Sequence, residues 1–190
     1  MYNKDKADVP IVRIDLVSLA RNDVPKMSRA WCIALAECAS VCLHLNDHRT
    51  ETSLTLQGDF NKILPICPIA LEDSAIRTHN DLQVTAELGA YGVAFLIVEH
   101  LTSFTVIERS RKKTGFDYWL GQKEDALMQR KARLEVSGIH DQPTKEFTRR
   151  IKLKLHQTKV SDTMGLPAYI IVVEFKSPKA HFELRKDTIQ

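Results

Sequence analysis

The stretch TGFDYWLGQKEDALMQRKARLEVSGI, residues 114–139, decides how this chain is read. Two segments in it, GFDYWL and KARLEVSGI, alternate apolar residues in the manner of strands. Each carries one carboxylate in otherwise apolar company, Asp117 and Glu135. Side chains alternate across a strand, so Phe116, Tyr118 and Leu120 share one face, and Asp117 and Trp119 the other. By the same rule Leu134 and Val136 face away from Arg133, Glu135 and Ser137. Register decides whether the two acids meet, and spacing leaves register open. Two carboxylates brought together stay ionised only beside a cation or a cluster of donors. One reading is a shared divalent cation, since magnesium takes one or two carboxylates with several waters. The other is a separate ion pair for each acid, with bases such as Arg109 or Arg133.

The flanks supply the fold class. SFTVIERS (103–110) is a third strand-like segment, joined to GFDYWLG through the tight turn RKKTG. The longer excursion QKEDALMQR has room for a helical turn. Before these strands, NDLQVTAELGAYGVAFLIVEHL (80–101) is apolar nearly all round and predicts a central, buried helix capped by Asn80 or Asp81. Ala86, Gly89, Ala90 and Gly92 would let it lie close against a sheet. Glu87 stands out in it as a buried acid in need of a partner. After the strands, DQPTKEFTRRIKLKLHQTKVSD (141–162) predicts a basic amphipathic helix, with Phe147, Ile151 and Leu155 at helical spacing. AYIIVVEFKSPKA reads as a final buried strand and HFELRKDTIQ as a polar tail. Helix, three-strand meander, helix, strand requires a crossover, which gives an α/β fold with a mixed sheet between helices.

The N-terminal part reads as a strand-helix-strand extension. PIVRIDLVSL is the strand, residues 28–45 the helix with Ser28 as its cap, and SLTLQGDF the second strand with a turn at Gly58-Asp59. ILPICPIAL, with two prolines, reads as an extended connector. No flexible linker separates residues 1–70 from the core at 80–176, so residues 1–190 form one domain.

Composition agrees with that size: 190 residues, 44% apolar and 27% charged. A net charge of +3 is too small to specify nucleic acid by itself. Cys32, Cys38, Cys42 and Cys67 form no CxxC pair, which argues against a zinc site, and the first three, on an apolar helix, read as small core residues. The apolar run LGAYGVAFLIV is shorter than the roughly 20 residues that span a bilayer, and MYNKDKADVP is no signal segment. A cytoplasmic protein without a membrane partner is the expectation. No Ser-His-Asp spacing, phosphate-binding loop or dinucleotide fingerprint occurs.

The element order, with acids on the first helix and on the second and third strands, resembles the core of the PD-(D/E)xK nucleases, the restriction-endonuclease-like phosphodiesterases. The resemblance spans roughly residues 80–176. It implies that Asp117 is the first metal-binding acid and Glu135 the acid of the ExK motif. It further implies that Val136 offers a backbone carbonyl to magnesium and that Glu87 adds a helical ligand. The motif departs at Glu135-Val136-Ser137, where serine stands in the place of the lysine that orients the attacking water. Lys131, at the parity of Glu135, or Lys152 or Lys154 on the following helix, would have to replace it. Without a replacement the chain would be a degenerate, inactive relative.

A nuclease also needs a surface for phosphates. Two clusters qualify: Arg109, Arg111, Lys112 and Lys113 at the hairpin turn, and Arg149 and Arg150 with the lysines after them. DNA or RNA is the partner this reading implies, and a homo-oligomer is expected. The competing reading is a non-catalytic, oligomeric interaction protein, an accessory or antitoxin-like subunit. Ser137 favours it, as does an N-terminal helix with more apolar surface than a small domain requires.

Overall fold

The alternating segments assemble into one eight-stranded mixed sheet in the computed structural model, which describes residues 12–21 and 26–185. The strands are β1 (Ile14–Asp15), β2 (Thr52–Gly58), β3 (Lys62–Cys67), β4 (Phe104–Arg109), β5 (Tyr118–Gln122), β6 (Ala132–Ile139), β7 (Ala168–Glu174) and β8 (Lys179–Arg185). The helices are α1 (Leu16–Arg21), α2 (Arg29–Leu45), α3 (Asp73–Thr78), α4 (Leu82–Leu101) and α5 (Thr144–Gln157), the last running into a 3-10 segment, Thr158–Met164. Strand order is β1-β3-β2-β8-β7-β6-β5-β4. The chain is thus an α/β protein with helices on both faces of the sheet.

The core follows the predicted order. β4, β5 and β6 form the antiparallel meander. β7 lies parallel to β6, with α5 as the crossover between them. α4 covers one face through Leu134, Val136, Tyr118, Ile171 and Val173. α5 covers the other through Phe147, with Ile139, Ile170 and Val172 beneath it. Both helix starts are capped as predicted. The Ser28 hydroxyl accepts from the Trp31 amide, and the Asp81 carboxylate accepts from the Gln83 and Val84 amides.

Four expectations are corrected. PIVRIDLVSL is not one strand: Pro10 and Ile11 lie outside the described residues, and after Ile14–Asp15 the chain turns into α1. The Asp15 carboxylate accepts the Val17 amide, and the Ser18 hydroxyl donates to the Asp15 carbonyl, which together cap a helix. ILPICPIAL is no connector, because Lys62–Cys67 pairs with β2. Pro65 is tolerated there because β1 reaches only Ile66 and Cys67, leaving β3 a sheet edge at the proline. The excursion between β5 and β6 holds turns and no helix. The supposed polar tail supplies β8, whose Ala180 and Phe182 alternate into the core while His181 and Glu183 pair on the other face. This strand joins the N-terminal hairpin to the core sheet, pairing parallel with β2 and antiparallel with β7.

The small residues of α4 serve a different neighbour from the one expected. A Cβ on Gly89 would stand 2.8 Å from the Ala39 backbone, and one on Gly92 would stand 3.1 Å from the Leu35 carbonyl. Both glycines therefore allow close contact with α2. Contact with the sheet is made possible from the strand side, where a Cβ on Gly138 would lie 1.9 Å from the Ala86 carbonyl oxygen. At 20 residues and mean hydropathy 1.3, α4 is the one described helix long and apolar enough to cross a membrane, and 67% of that window is buried inside the fold.

Candidate metal and phosphate site

The site arises where β5 parts from β6. Their ladder ends at Tyr118↔Leu134, so β6 runs on to Ile139 with its β5-side edge unpaired. Continuing that register by one pair sets Asp117 opposite Glu135. The acids thus share a face, the one toward α5 that also carries Trp119 and Arg133. Asp117 itself lies just ahead of β5, not inside the strand as GFDYWL suggested.

The two acids share Lys154 as a nearby charge and differ in their other partners. Asp117 Oδ2 accepts the Val136 amide at 2.9 Å, and Oδ1 accepts the Tyr91 hydroxyl at 3.3 Å. The Tyr91 hydroxyl also donates to Glu87 Oε1 at 2.9 Å. Glu135 is fully buried; its Oε1 receives the Lys154 ammonium, and its carboxyl lies against that of Asp117. N–H and C=O of one residue point to the same side of a strand, so the Val136 carbonyl faces the open edge beside Asp117. Ser137, at the position of the missing lysine, accepts from the Arg150 guanidinium at 3.1 Å. Asp117, Val136, Ser137, Tyr91, Glu87, Arg150 and Lys154 line a cleft of about 610 Å³ between α4, β6 and α5, and Glu135 lies buried beneath its wall.

Burial dominates the electrostatics. It raises the Asp117 carboxyl above its ordinary value, opposed by the Val136 amide, the Lys154 charge and the Tyr91 hydroxyl. Glu135 is pushed up from 4.5 to about 8, first by burial and then by the Asp117 charge, with Lys154 pulling the other way. The Tyr91 hydroxyl is pushed upward by burial and by the two acids it touches, so it remains a proton donor. The two strand acids therefore titrate as a coupled pair that a second cation would drive to full ionisation.

The candidate residues divide plainly. Asp117, Val136 and Glu87 line the cleft, and Glu135 lies buried behind it against Asp117. Glu87, however, is exposed, although the helix backbone at Ala86 and Glu87 lies directly against Gly138 of β6. Its partner Tyr91 was readable as the next residue but three on the same helix face. Lys131 and Lys152 are both exposed and neither lines the cleft; the lysine that reaches Glu135 is Lys154. Helical periodicity explains the choice. Arg150, Ile151 and Lys154 follow Phe147 along the stripe that meets the sheet, whereas Lys152 lies round the helix from it. Arg133 serves neither acid: it is buried toward the 3-10 segment, donating to Ser161 and the Leu166 carbonyl and lying near Asp162.

The two basic clusters also differ. Arg149 and Arg150 are both held by Glu146, whose carboxyl they hold well below the usual carboxylate range. Arg109, Arg111, Lys112 and Lys113 have no carboxylate partner among the described residues, and they border a second cleft that reaches Asp117. The turn therefore offers its charge more freely than the helix does. Cys32, Cys38 and Cys42 are buried as expected of core residues, and burial pushes the Cys38 thiol up to about 12. Among the described residues, no group of three or more His, Cys, Asp or Glu side chains gathers to hold a metal. No protein-family model, no curated protein and no solved structure matches the chain.

Proposed function

We propose that this protein is a metal-dependent phosphodiesterase of the nuclease type, acting on DNA or RNA. The observation that carries the proposal is the register that sets Asp117 against Glu135, so that two buried carboxyl groups lie against one another. Two buried carboxyl groups that face one another cost free energy unless a proton or a cation lies between them. The donor set fits a hard cation: two carboxylates and the Val136 carbonyl. Two acids without a third suit magnesium, which keeps several waters, better than an ion caged wholly by protein.

Bound there, magnesium would supply an acidified water and offset negative charge at phosphorus. The chain's own residues do the remaining work. Val136 and Tyr91 fix the Asp117 carboxylate by donating to its two oxygens. Lys154 lies against Glu135 and takes the place of the absent motif lysine, orienting the nucleophilic water and stabilising developing charge. The basic turn holds the flanking phosphates. The non-catalytic reading drew on the apolar surface of α2; most of that surface is buried, with Leu35, Ala36, Ala39 and Leu43 inaccessible to solvent, and only Ile33 and Leu45 stand exposed on this helix among its large apolar residues.

Cleavage of labelled DNA and RNA in magnesium or manganese tests the proposal, with Asp117→Asn and Glu135→Gln as controls. Metal-dependent cleavage in the parent and its loss in both variants is the expected result. Equal activity in all three proteins discards the catalytic role.

A further inference from the structure

On the far side of Asp117 from the α4–α5 cleft, the β4–β5 turn shapes a groove of its own. It consists of two clefts of about 320 and 310 Å³ that share Arg109, Ser110 and Arg111. The first ends on Asp117; the second ends on Trp119 and Arg130. The second is at the lower end of the roughly 300–1,000 Å³ typical of small-ligand pockets, the scale of one nucleotide and not of a duplex.

Two features of this groove point to a ligand with both charge and a flat apolar ring. Two guanidinium groups in it lie over indole rings, Arg130 over Trp119 at 4.7 Å and Arg109 over Trp31 at 5.2 Å. Arg130 is fixed further by a two-point contact with Glu108 and is half exposed, so its outer plane is open for stacking. Beside these planes stand Arg111, Lys112 and Lys113, none with a carboxylate partner among the described residues. The turn is also held rigidly. Ser110 and Thr114 share a hydroxyl hydrogen bond of 2.7 Å, and Thr114 donates to the Arg111 carbonyl. Gly115, at φ +84°, packs so close to α5 that a Cβ there would lie 2.8 Å from the Gln157 carbonyl oxygen. Rigid display of a stacking plane beside unpaired cations lowers the entropy lost when a ligand binds.

We propose that this groove is the subsite for the unpaired nucleotide next to the scissile phosphate, and hence that the substrate is single-stranded DNA or RNA. The proposal rests on the nuclease reading and extends it. Arg130, backed by Trp119, stacks on the exposed base, and the turn cations hold the phosphates that lead from it to Asp117. In a duplex both faces of a base are covered by its neighbours, so this stacking plane would have nothing to contact.

The test is fluorescence anisotropy of full-length protein carrying Asp117→Asn, in chelator, with labelled oligo-dT, oligo-U and duplex DNA. Single strands should bind at least about tenfold tighter than the duplex. Arg130→Ala and Arg130→Lys should each weaken single-strand binding by about tenfold or more, as loss of one base stack does, and leave duplex binding unchanged. The lysine variant separates stacking from charge. Arg111→Ala with Lys112→Ala should weaken every form and flatten the salt dependence by about one to two in the log–log slope. Unchanged single-strand affinity in both Arg130 variants, or a duplex that binds as tightly as the single strands, overturns the subsite. Cleavage by the parent protein in magnesium keeps the two proposals apart. Cleavage with no dependence on Arg130 removes the subsite alone. Arg130-dependent binding without cleavage upholds the subsite and removes the catalytic reading.

Discussion

Replacing Glu135 with glutamine should remove a specific part of the protein's pH dependence. Burial and the Asp117 charge raise this carboxyl from 4.5 to about 8 in the folded chain. A group whose folded value is raised holds its proton more tightly in the native state than in the unfolded one. It therefore contributes stability that is fully present below about pH 4.5 and is lost as pH rises toward 8. At about 1.4 kcal/mol per pH unit, the whole interval amounts to roughly 5 kcal/mol at most. Glutamine matches the protonated acid in shape and charge, and Lys154 has the same surroundings in both proteins at acid pH. The two should thus unfold at nearly the same urea concentration at pH 5 and diverge above it, with the variant more stable by several kcal/mol at pH 8.5. Histidines that titrate in this range do so in both proteins, so the difference isolates residue 135. The assay is urea unfolding from pH 5 to 9 in chelator. Parallel pH profiles for parent and variant would refute the raised acid and with it the electrostatic account of the site. Magnesium should return stability to the parent at pH 8.5 and not to the variant, because a ligand that binds only the native state stabilises it.

The other predictions concern the frame around the acids. Gly138→Ala forces a methyl group into the Ala86 carbonyl, so α4 must lift from β6; a loss on the order of 3 kcal/mol in chemical denaturation is expected, with cleavage falling alongside. Lys154→Met should reduce metal-dependent cleavage by about a hundredfold or more, while Lys152→Ala and Lys131→Ala leave it nearly unchanged, all read in one oligonucleotide assay. Tyr91→Phe removes the donor shared by Asp117 and Glu87. It should destabilise the fold by about 1 kcal/mol and move the pH profile of cleavage, whereas a purely structural role would leave that profile in place.

How much of this was legible beforehand can be followed residue by residue. Helices α2 and α4 were readable because their caps, Ser28 and Asp81, precede long apolar runs. The meander and the crossover followed from period-two segments on either side of a basic amphipathic helix. β8 was missed although Ala180, Phe182 and Leu184 alternate, because charged partners on its other face made the segment look like a tail. β3 was missed because two prolines argue against a strand, a rule that weakens at a sheet edge. Glu87 was read as buried because its sequence neighbours are apolar, yet it lies on the side of the first turns of α4 that stays open, with Gln83 and Val84. Lys154 and Lys152 stood as equals in a string of cations until the stripe through Phe147 and Ile151 singled out one of them.

The sequence by itself determined the α/β class, the order of the core elements, and the two acids that stand out in neighbouring apolar segments. Alternation and helical periodicity are local properties, and local properties survive in a string of letters. Only the tertiary structure decided that those acids meet. Their meeting depends on the register of β5 against β6, on the point where the two strands part, and on which lysine of α5 turns toward the sheet. Register and helix rotation are fixed by the packing of the whole core, in which a shift of one residue would send every side chain of a strand to the opposite face.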